Sequence, residues 1–202
     1  MAKFKQYKIA RRLGVRVFPK TENPKFAVGK KVIRARKHMR PMSEYGLQML
    51  EKQKARYYYG LRERQFSNYV ARATERKDVN PVEFLYRMLE SRLDNCVYRL
   101  GIAKTRALGR QMISHGHITV NGKKVTIPSY MVTKSDVVSV RKESKNKKLF
   151  EGAAERLKDH TAPSWLTLDL KNLEGTVVTV PSVEDYSGAL FNLTSVIEFY
   201  SR

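Results

Sequence analysis

Arg106 and Arg110 stand four residues apart, with Leu108 and Met112 interleaved so that they fall on the opposite side of a helix. Laid on a small sheet by its apolar side, such a helix turns both guanidinium forks outward, where their planar shape fits phosphate oxygens. Thr105 stands where it can cap this helix, and the backbone N–H groups of the first turn add anion-binding capacity. Lys104, Lys123 and Lys124 flank the same surface. A second cluster lies at 45–69, where Lys52, Lys54, Arg56, Arg62 and Arg64 alternate with Tyr45, Tyr57, Tyr58, Tyr59, Phe66 and Tyr69. Aromatic rings stack on unpaired bases, and arginines bridge phosphates. At least half of these rings are expected in the core. The cations need another explanation, and phosphate is the best one.

Catalytic and metal chemistry find little support. There is no phosphate-loop pattern and no dinucleotide fingerprint. Structural zinc takes about four ligands, whereas the sequence offers Cys96 and the scattered His38, His115, His117 and His160. His115 and His117 are better placed to reach RNA or water. Cys96 falls on an apolar stripe and is expected to be a buried, inert thiol. Asp94 reads as a charge partner of Arg92 and Arg99. No catalytic residue, metal site or cofactor is expected.

The 202 residues carry a net charge of +21, with 42% hydrophobic residues. A surplus of that size repels itself unless a polyanion neutralises it. Residues 1–80 hold 22 Lys/Arg against 6 Asp/Glu, and residues 91–150 hold 13 against 3, whereas residues 151–202 are net acidic. The phosphate-facing surface therefore belongs to the first three quarters of the chain. A lone cysteine, no signal-like start and no apolar run near 20 residues point to the cytoplasm and away from membranes.

The elements that would hold these groups are legible in outline. Residues 1–42 form a basic extension, expected to be mostly extended with a short helix near Tyr7–Leu13. Ser43 caps a helix that ends at Gly60. A second helix spans about Arg62–Ala73, and a third starts at Asn80-Pro81 with a break near Glu90. Leu93, Cys96, Val97 and Leu100 mark one helix face, Gly101 ends it, and Gly116 closes the next helix. Ile118–Val120, the Asn121-Gly122 turn and the return over Lys123–Ile127 form a hairpin, and Val137–Val140 adds a strand. Beyond a basic connection come a helix over 149–160, strands at Trp165–Leu168 and Thr176–Val180 bounded by Gly175, and a helical stripe through Leu190, Leu193, Val196, Ile197 and Tyr200.

At these residues the sequence resembles a family. Ser43-Glu44-Tyr45-Gly46-Leu47-Gln48, Glu51-Lys52-Gln53-Lys54 and Glu63-Arg64-Gln65-Phe66 resemble the N-terminal signature of the bacterial ribosomal protein S-four family. Arg92-Leu93-Asp94-Asn95, Thr105-Arg106, Arg110-Gln111, Ser114-His115 and Val120-Asn121-Gly122 resemble that family's small RNA-binding module. Glu198-Phe199-Tyr200-Ser201-Arg202 resembles its ending. The resemblance implies an α+β fold in which a helical domain, 43–90 plus about 182–202, carries an inserted RNA-binding domain at 91–181. The core module of that insertion, 91–150, would be a helix-turn-helix, a β-hairpin and a mixed sheet.

The resemblance also implies a structural protein that binds the 5′ region of small-subunit ribosomal RNA at a multi-helix junction and nucleates assembly of the subunit body. It implies contact with ribosomal protein S-five, with messenger RNA near the entry channel and, in some members, with the protein's own messenger, and a contribution to translational accuracy. The RNA-contacting candidates fall in three groups. The extension offers Arg11, Arg12, Lys30, Lys31, Arg34, Arg36, Lys37 and Arg40. The helical domain offers Tyr45, Gln48, Lys52, Gln53, Lys54, Arg56, Arg62 and Arg64. The module offers Arg92, Arg99, Lys104, Thr105, Arg106, Arg110, Gln111, Ser114, His115, His117, Asn121 and Lys123.

The sequence departs from the family at three places. Residues 1–43 lack the cysteine cluster that holds zinc or an iron–sulfur group in many relatives. Val28-Gly29-Lys30-Lys31-Val32 replaces a glycine-rich stretch, and Leu193 stands where an acidic residue is usual. Two rival classes make different demands. An RNA-modifying enzyme would need a catalytic domain that the residues after 140 do not supply, and a non-specific compactor would bind unrelated duplex DNA equally well.

Overall fold

A computed structural model describes residues 5–21, 41–147, 149–150, 155, 157, 160–169, 172–182 and 190–202. The chain divides into two compact units, one of Met1–Val82 with Gly188–Arg202 and the other of Glu83–Ser187.

The first unit is helical among its described residues. Helix α1 spans Gln6–Leu13, α2 spans Glu44–Tyr59 and α3 spans Glu63–Glu75. The Ser43 side chain accepts a hydrogen bond from the Gly46 N–H at 3.2 Å, capping α2. The helix stops at Gly60, whose φ of +63° costs a glycine little. Helix α3 begins at Glu63 and runs two residues past the expected end, to Glu75. Phe66, Val70 and Ala73, three and four apart, form its buried stripe.

The terminal stripe forms a further helix, Leu193–Tyr200, which packs on α2 and α3. Asn192 caps it through the Thr194 and Ser195 N–H groups, and the Asn192 N–H donates to Glu51 at 2.7 Å. The Tyr200 hydroxyl donates to Glu63 at 2.7 Å, across 137 positions of sequence.

The second unit is α+β. Its helices are α4 (Pro81–Glu90, whose first turn crosses the unit boundary), α5 (Leu93–Arg99) and α6 (Arg106–Ser114), which leaves α7 for Leu193–Tyr200. Pro81 occupies the first helical position, and the Asn80 side chain accepts from the Val82 N–H. The apolar stripe through α4 and α5 breaks after Glu90, as its sequence suggested. The break is held from outside. Arg92 is extended, the Leu93 N–H donates to the Tyr130 carbonyl, and the Val132 N–H donates to that of Ser91. Residues 128–132 thus satisfy groups that a continuous helix would have paired internally.

The strands are β1 (Ile118–Val120), β2 (Lys123–Lys124), β3 (Val137–Val140), β4 (Leu166–Asp169) and β5 (Glu174–Val177), in the order β2-β1-β3-β5-β4. The fold class stands as α+β. The sheet, expected to be mixed, is antiparallel at every described pairing. The β1–β2 pair is joined by a two-residue turn and only four residues separate β4 from β5, and links that short join only antiparallel neighbours. The Asn121-Gly122 turn has φ of +50° and +75°, the conformation that a two-residue hairpin needs. The return strand is shorter than expected and ends at Lys124.

β5 begins two residues earlier than expected, at Glu174, and takes in Gly175, the boundary that the sequence suggests. The glycine has a spatial reason to be there. A Cβ at 175 would collide with the Leu100 side chain, which rests on the strand. Helices α5 and α6 share one core with the sheet, in which Leu93, Cys96, Leu100, Ile113, Ile118, Val138 and Trp165 are almost wholly buried. The helix expected over 149–160 lies largely outside the described residues, though Phe150 and Leu157 are buried.

Candidate nucleic-acid interface

The interface begins with the way α5 and α6 meet. Gly109 of α6 lies against the α5 backbone, where a Cβ would come within 2.9 Å of the Asp94 carbonyl oxygen. The two helices approach as closely as they do because this residue has no side chain. Thr105 caps α6 by accepting from the Leu108 N–H at 3.1 Å. Gly116, with φ of +72°, follows its end.

This packing corrects the expected direction of several arginines. Arg106 and Arg110 are half-buried and reach toward α5 rather than turning fully outward. The Arg110 Nε donates to Asp94, whose carboxyl is 1% exposed, and the Arg106 Nε donates to Asn95 at 2.7 Å with its guanidinium over the Tyr98 ring. Arg92 was also expected at the RNA surface. Its side chain is 3% exposed and grips Asp94 through two hydrogen bonds of 2.9 Å, so it offers no face to a ligand. Arg99 pairs with Glu90, which is fully buried, rather than with Asp94.

The physical cause is common to Arg92, Arg99 and Arg110, whereas Arg106 is held by Asn95 and Tyr98. Glu90 and Asp94 lie inside the unit, and a buried carboxylate needs cations and hydrogen bonds around it. Cys96 is buried beside them, and burial, then the nearby Glu90 and Asp94 charges, push its thiol well above the ordinary range. It is the inert thiol that the apolar stripe indicated.

What α6 turns outward is a different set. Ala107, Gln111 and Ser114 are exposed at helical spacing, with Lys104 before them and His115 after. Lys124 lies across Gly116, where a Cβ would strike its side chain, so β2 brings a cation to the end of α6. Lys123 is exposed beside it. The stripe Lys104–Gln111–Ser114–His115, continued by Lys123 and Lys124, contains cations and neutral hydrogen-bonding groups and no carboxylate. His117 is half-buried, and Asn121, though exposed, spends its side chain within the turn. The His117 Nδ1 lies 3.0 Å from the Ser144 hydroxyl, and burial, then the cations Lys147, His115 and Arg141, lower its pKa. The Asn121 carbonyl accepts from the Val137 N–H and its amide donates to Asp136, so it fixes the turn.

In the first unit the candidates divide similarly. Arg11, Arg12, Arg62 and Arg64 are exposed cations, and Tyr45 is half exposed with its ring against Phe199. Others are engaged internally. The Lys52 ammonium bonds Glu63 at 2.7 Å and sits over the Phe199 ring. Gln48 is buried and its amide donates to Glu198. Arg56 binds Gln53 and Glu63, and Lys54 binds Glu51. Burial raises the Glu63 pKa, but the bonds from Lys52 and Tyr200 and the Lys52 and Arg56 charges outweigh it and hold the group low. Tyr59, Phe66 and Tyr69 are core rings, as expected. Lys30, Lys31, Arg34, Arg36, Lys37 and Arg40 lie outside the described residues.

Sequence reasoning missed His160. Its Nε2 lies 2.7 Å from the Arg99 carbonyl, 61 positions away. The only signal was Gly101, read as a helix stop, against which the His160 ring rests.

A helix pair on an antiparallel sheet, with a cationic and carboxylate-free stripe facing out, defines a small RNA-binding module. Residues 91–138 match the S4 domain, and residues 1–108 match the ribosomal protein S4/S9 N-terminal domain. The chain is 45% identical to small ribosomal subunit protein uS4 of Roseiflexus castenholzii, with 96% of each chain covered. It is 42% identical to that of Aquifex aeolicus, covering 96% of this chain and 95% of the relative. It is 41% identical to protein uS4A of Alkaliphilus oremlandii, with 96% of each covered. The chain belongs to the uS4 family of small ribosomal subunit proteins, which are structural and not enzymes. No helix among the described residues is long and apolar enough to cross a membrane.

Proposed function

We propose that this protein is a structural component of the small ribosomal subunit that binds 16S-type ribosomal RNA in the cytoplasm and nucleates assembly of the subunit body. The observation that carries the reading is the outward stripe of α6. It presents Lys104, Gln111, Ser114 and His115, continued by Lys123 and Lys124, on a chain whose net charge is +21. Such a surface suits phosphates and 2′-hydroxyls, which RNA-binding modules contact by shape.

The family resemblance supports a 5′ multi-helix junction as the target, with ribosomal protein S-five and messenger near the entry channel as neighbours. It also supports the protein's own messenger as a regulatory target and a contribution to accuracy. The inserted-domain reading, 91–181 within 43–90 and 182–202, is supported by the helix Leu193–Tyr200 packing on α2 and α3. The compact units favour boundaries near 82 and 188.

Binding of the full chain to a 5′ fragment of small-subunit RNA, with a chemical footprint, tests the reading. Protection is expected at a junction of helices, with affinity well above that for unrelated duplex DNA. Equal affinity for both would favour a non-specific compactor instead. Replacing Lys104 and Gln111 by Glu is expected to weaken binding and leave the fold intact, since both side chains are exposed. Wild-type affinity in that double variant would remove the α6 stripe from the site. The same exchange at Arg106 and Arg110 is a poorer test, because their side chains hold α6 to α5.

A further inference from the structure

A concavity of about 610 Å³ opens at the turn between α5 and α6, with Tyr98, Arg99, Gly101, Lys104, His160 and Pro163 among its lining residues. Its size falls within the roughly 300–1,000 Å³ of small-ligand sites. Two features show that it is built. Gly101 has φ of +76°, and a Cβ there would fall 2.7–2.8 Å from the Cδ2 and Cγ atoms of His160. The glycine therefore seats the imidazole against the turn. The His160 Nε2 lies 2.7 Å from the Arg99 carbonyl. A carbonyl only accepts, so Nε2 carries the proton, and in the neutral ring Nδ1 is an acceptor. The Cγ–Cδ2 edge rests on Gly101, which turns the Nδ1–Cε1 edge away from it.

The Tyr98 ring, which also lines the concavity, has the Arg106 guanidinium 4.3 Å from its centroid. Lys104 is exposed and is also the first residue of the outward stripe of α6.

We infer that this concavity takes one unpaired nucleotide of the bound RNA, its base against Tyr98 and His160 and its phosphate on Lys104. The inference rests on the RNA-binding reading above and adds a base-reading element to a surface otherwise suited to phosphates. Tyr98 and His160 supply ring faces for stacking. The His160 Nδ1 accepts from an amino or imino group of the base. Lys104 supplies a point charge where the nucleotide joins the strand along α6.

The test pairs the full chain with 5′-region ribosomal RNA fragments, each carrying one abasic site at an unpaired position. One or two positions are expected to lower wild-type affinity by roughly 5- to 150-fold, the range of a stacked base. At those positions His160→Ala is expected to narrow the gap between intact and abasic RNA, the mark of a direct coupling. His160→Phe is expected to restore part of the difference by stacking alone. Tyr98→Leu removes the other ring and gives a second route should His160→Ala fail to fold; it is expected to shrink the abasic effect at the same positions, whereas Lys104→Gln is expected to weaken intact and abasic RNA alike.

If every abasic site affects wild type and variants alike, the nucleotide pocket is overturned while the RNA-binding reading stands. If the wild type ignores the RNA altogether, the broader reading falls and takes this one with it.

Discussion

Asp94 organises more of the interface than any cation does. It accepts hydrogen bonds from Arg92 and Arg110, and its backbone meets Gly109 at the point where α5 and α6 come closest. Replacing it by Ala leaves the nearly buried Arg92 guanidinium without its carboxylate. Breaking a buried pair in this way costs about 3–5 kcal/mol, and a thermal melt is expected to show it.

Asp136 works on the other side of the sheet unit by accepting from the Thr133 N–H, the Thr133 hydroxyl and the Asn121 amide. Burial alone would raise its pKa, but these three donors lower it below the ordinary 3.8. A carboxyl whose folded value is depressed adds stability above its unfolded pKa and loses it as pH falls through the folded value. Asp136→Asn is therefore expected to be less stable than wild type at neutral pH, by about 1.5–3 kcal/mol for bonds to a charged group. The gap is expected to close in strong acid, below about pH 4. A gap that stays constant from pH 7 into acid would assign the effect to something other than ionisation.

Single residues also mark how far the sequence could be read. Asp94 was legible as a charge partner because arginines surround it in the chain. That Arg110 rather than Arg99 completes the pair depends on helix packing, which a sequence pattern does not contain.

At the scale of elements, glycines did most to set geometry that hydrophobic spacing alone leaves open. The hairpin was legible because Asn121-Gly122 demands positive φ at both positions, and the structure has it. Gly122→Val is expected to destabilise the protein by about 1–2 kcal/mol, the usual cost of a left-handed L-residue, read by chemical denaturation. Gly175 was misread because a glycine between strands looks like a boundary, whereas here it makes room for Leu100. Gly175→Ala is expected to cost about 1–3 kcal/mol by overpacking. Combined with Leu100→Ala it should cost less than the two separate losses together, because the first change fills space that the second vacates. Strict additivity would show that the two residues do not meet. The helix direction at Arg106 and Arg110 was misjudged for a related reason. Spacing identifies a shared face, and Leu108 and Met112 suggested which way it points, but the buried Glu90 and Asp94 make the arginine side an inner surface too.

Across the whole molecule, the excess of positive charge outlasts the internal pairing of Arg92, Arg99, Arg106 and Arg110. Arg92, Arg99 and Arg110 neutralise buried carboxylates and Arg106 bonds Asn95, and the exposed set that remains in the second unit includes Lys104, Lys123, Lys124, Lys134, Lys142 and Lys147. RNA affinity is therefore expected to fall steeply with salt, with a log–log slope of about 0.7–0.9 per phosphate contacted. Filter binding over a salt series measures it, and a flat response would contradict a phosphate-based grip. The charge bias and the helix-hairpin order were legible from composition and period. The division into units with a returning helix was legible only through the family resemblance, since no local pattern announces that residues 193–200 pack on residues some 140 positions earlier.

That return has a consequence for how the chain comes into being. A ribosome that makes this protein delivers α2 and α3 first, then the whole of Glu83–Ser187, and only afterwards the segment that covers the apolar sides of Tyr59 and Phe66. The earlier-made unit must wait, incomplete, while the later-made one already has all its parts. Nascent chains halted before residue 188 should accordingly yield a protease-resistant core from 83–187, with α2 and α3 still open to cleavage.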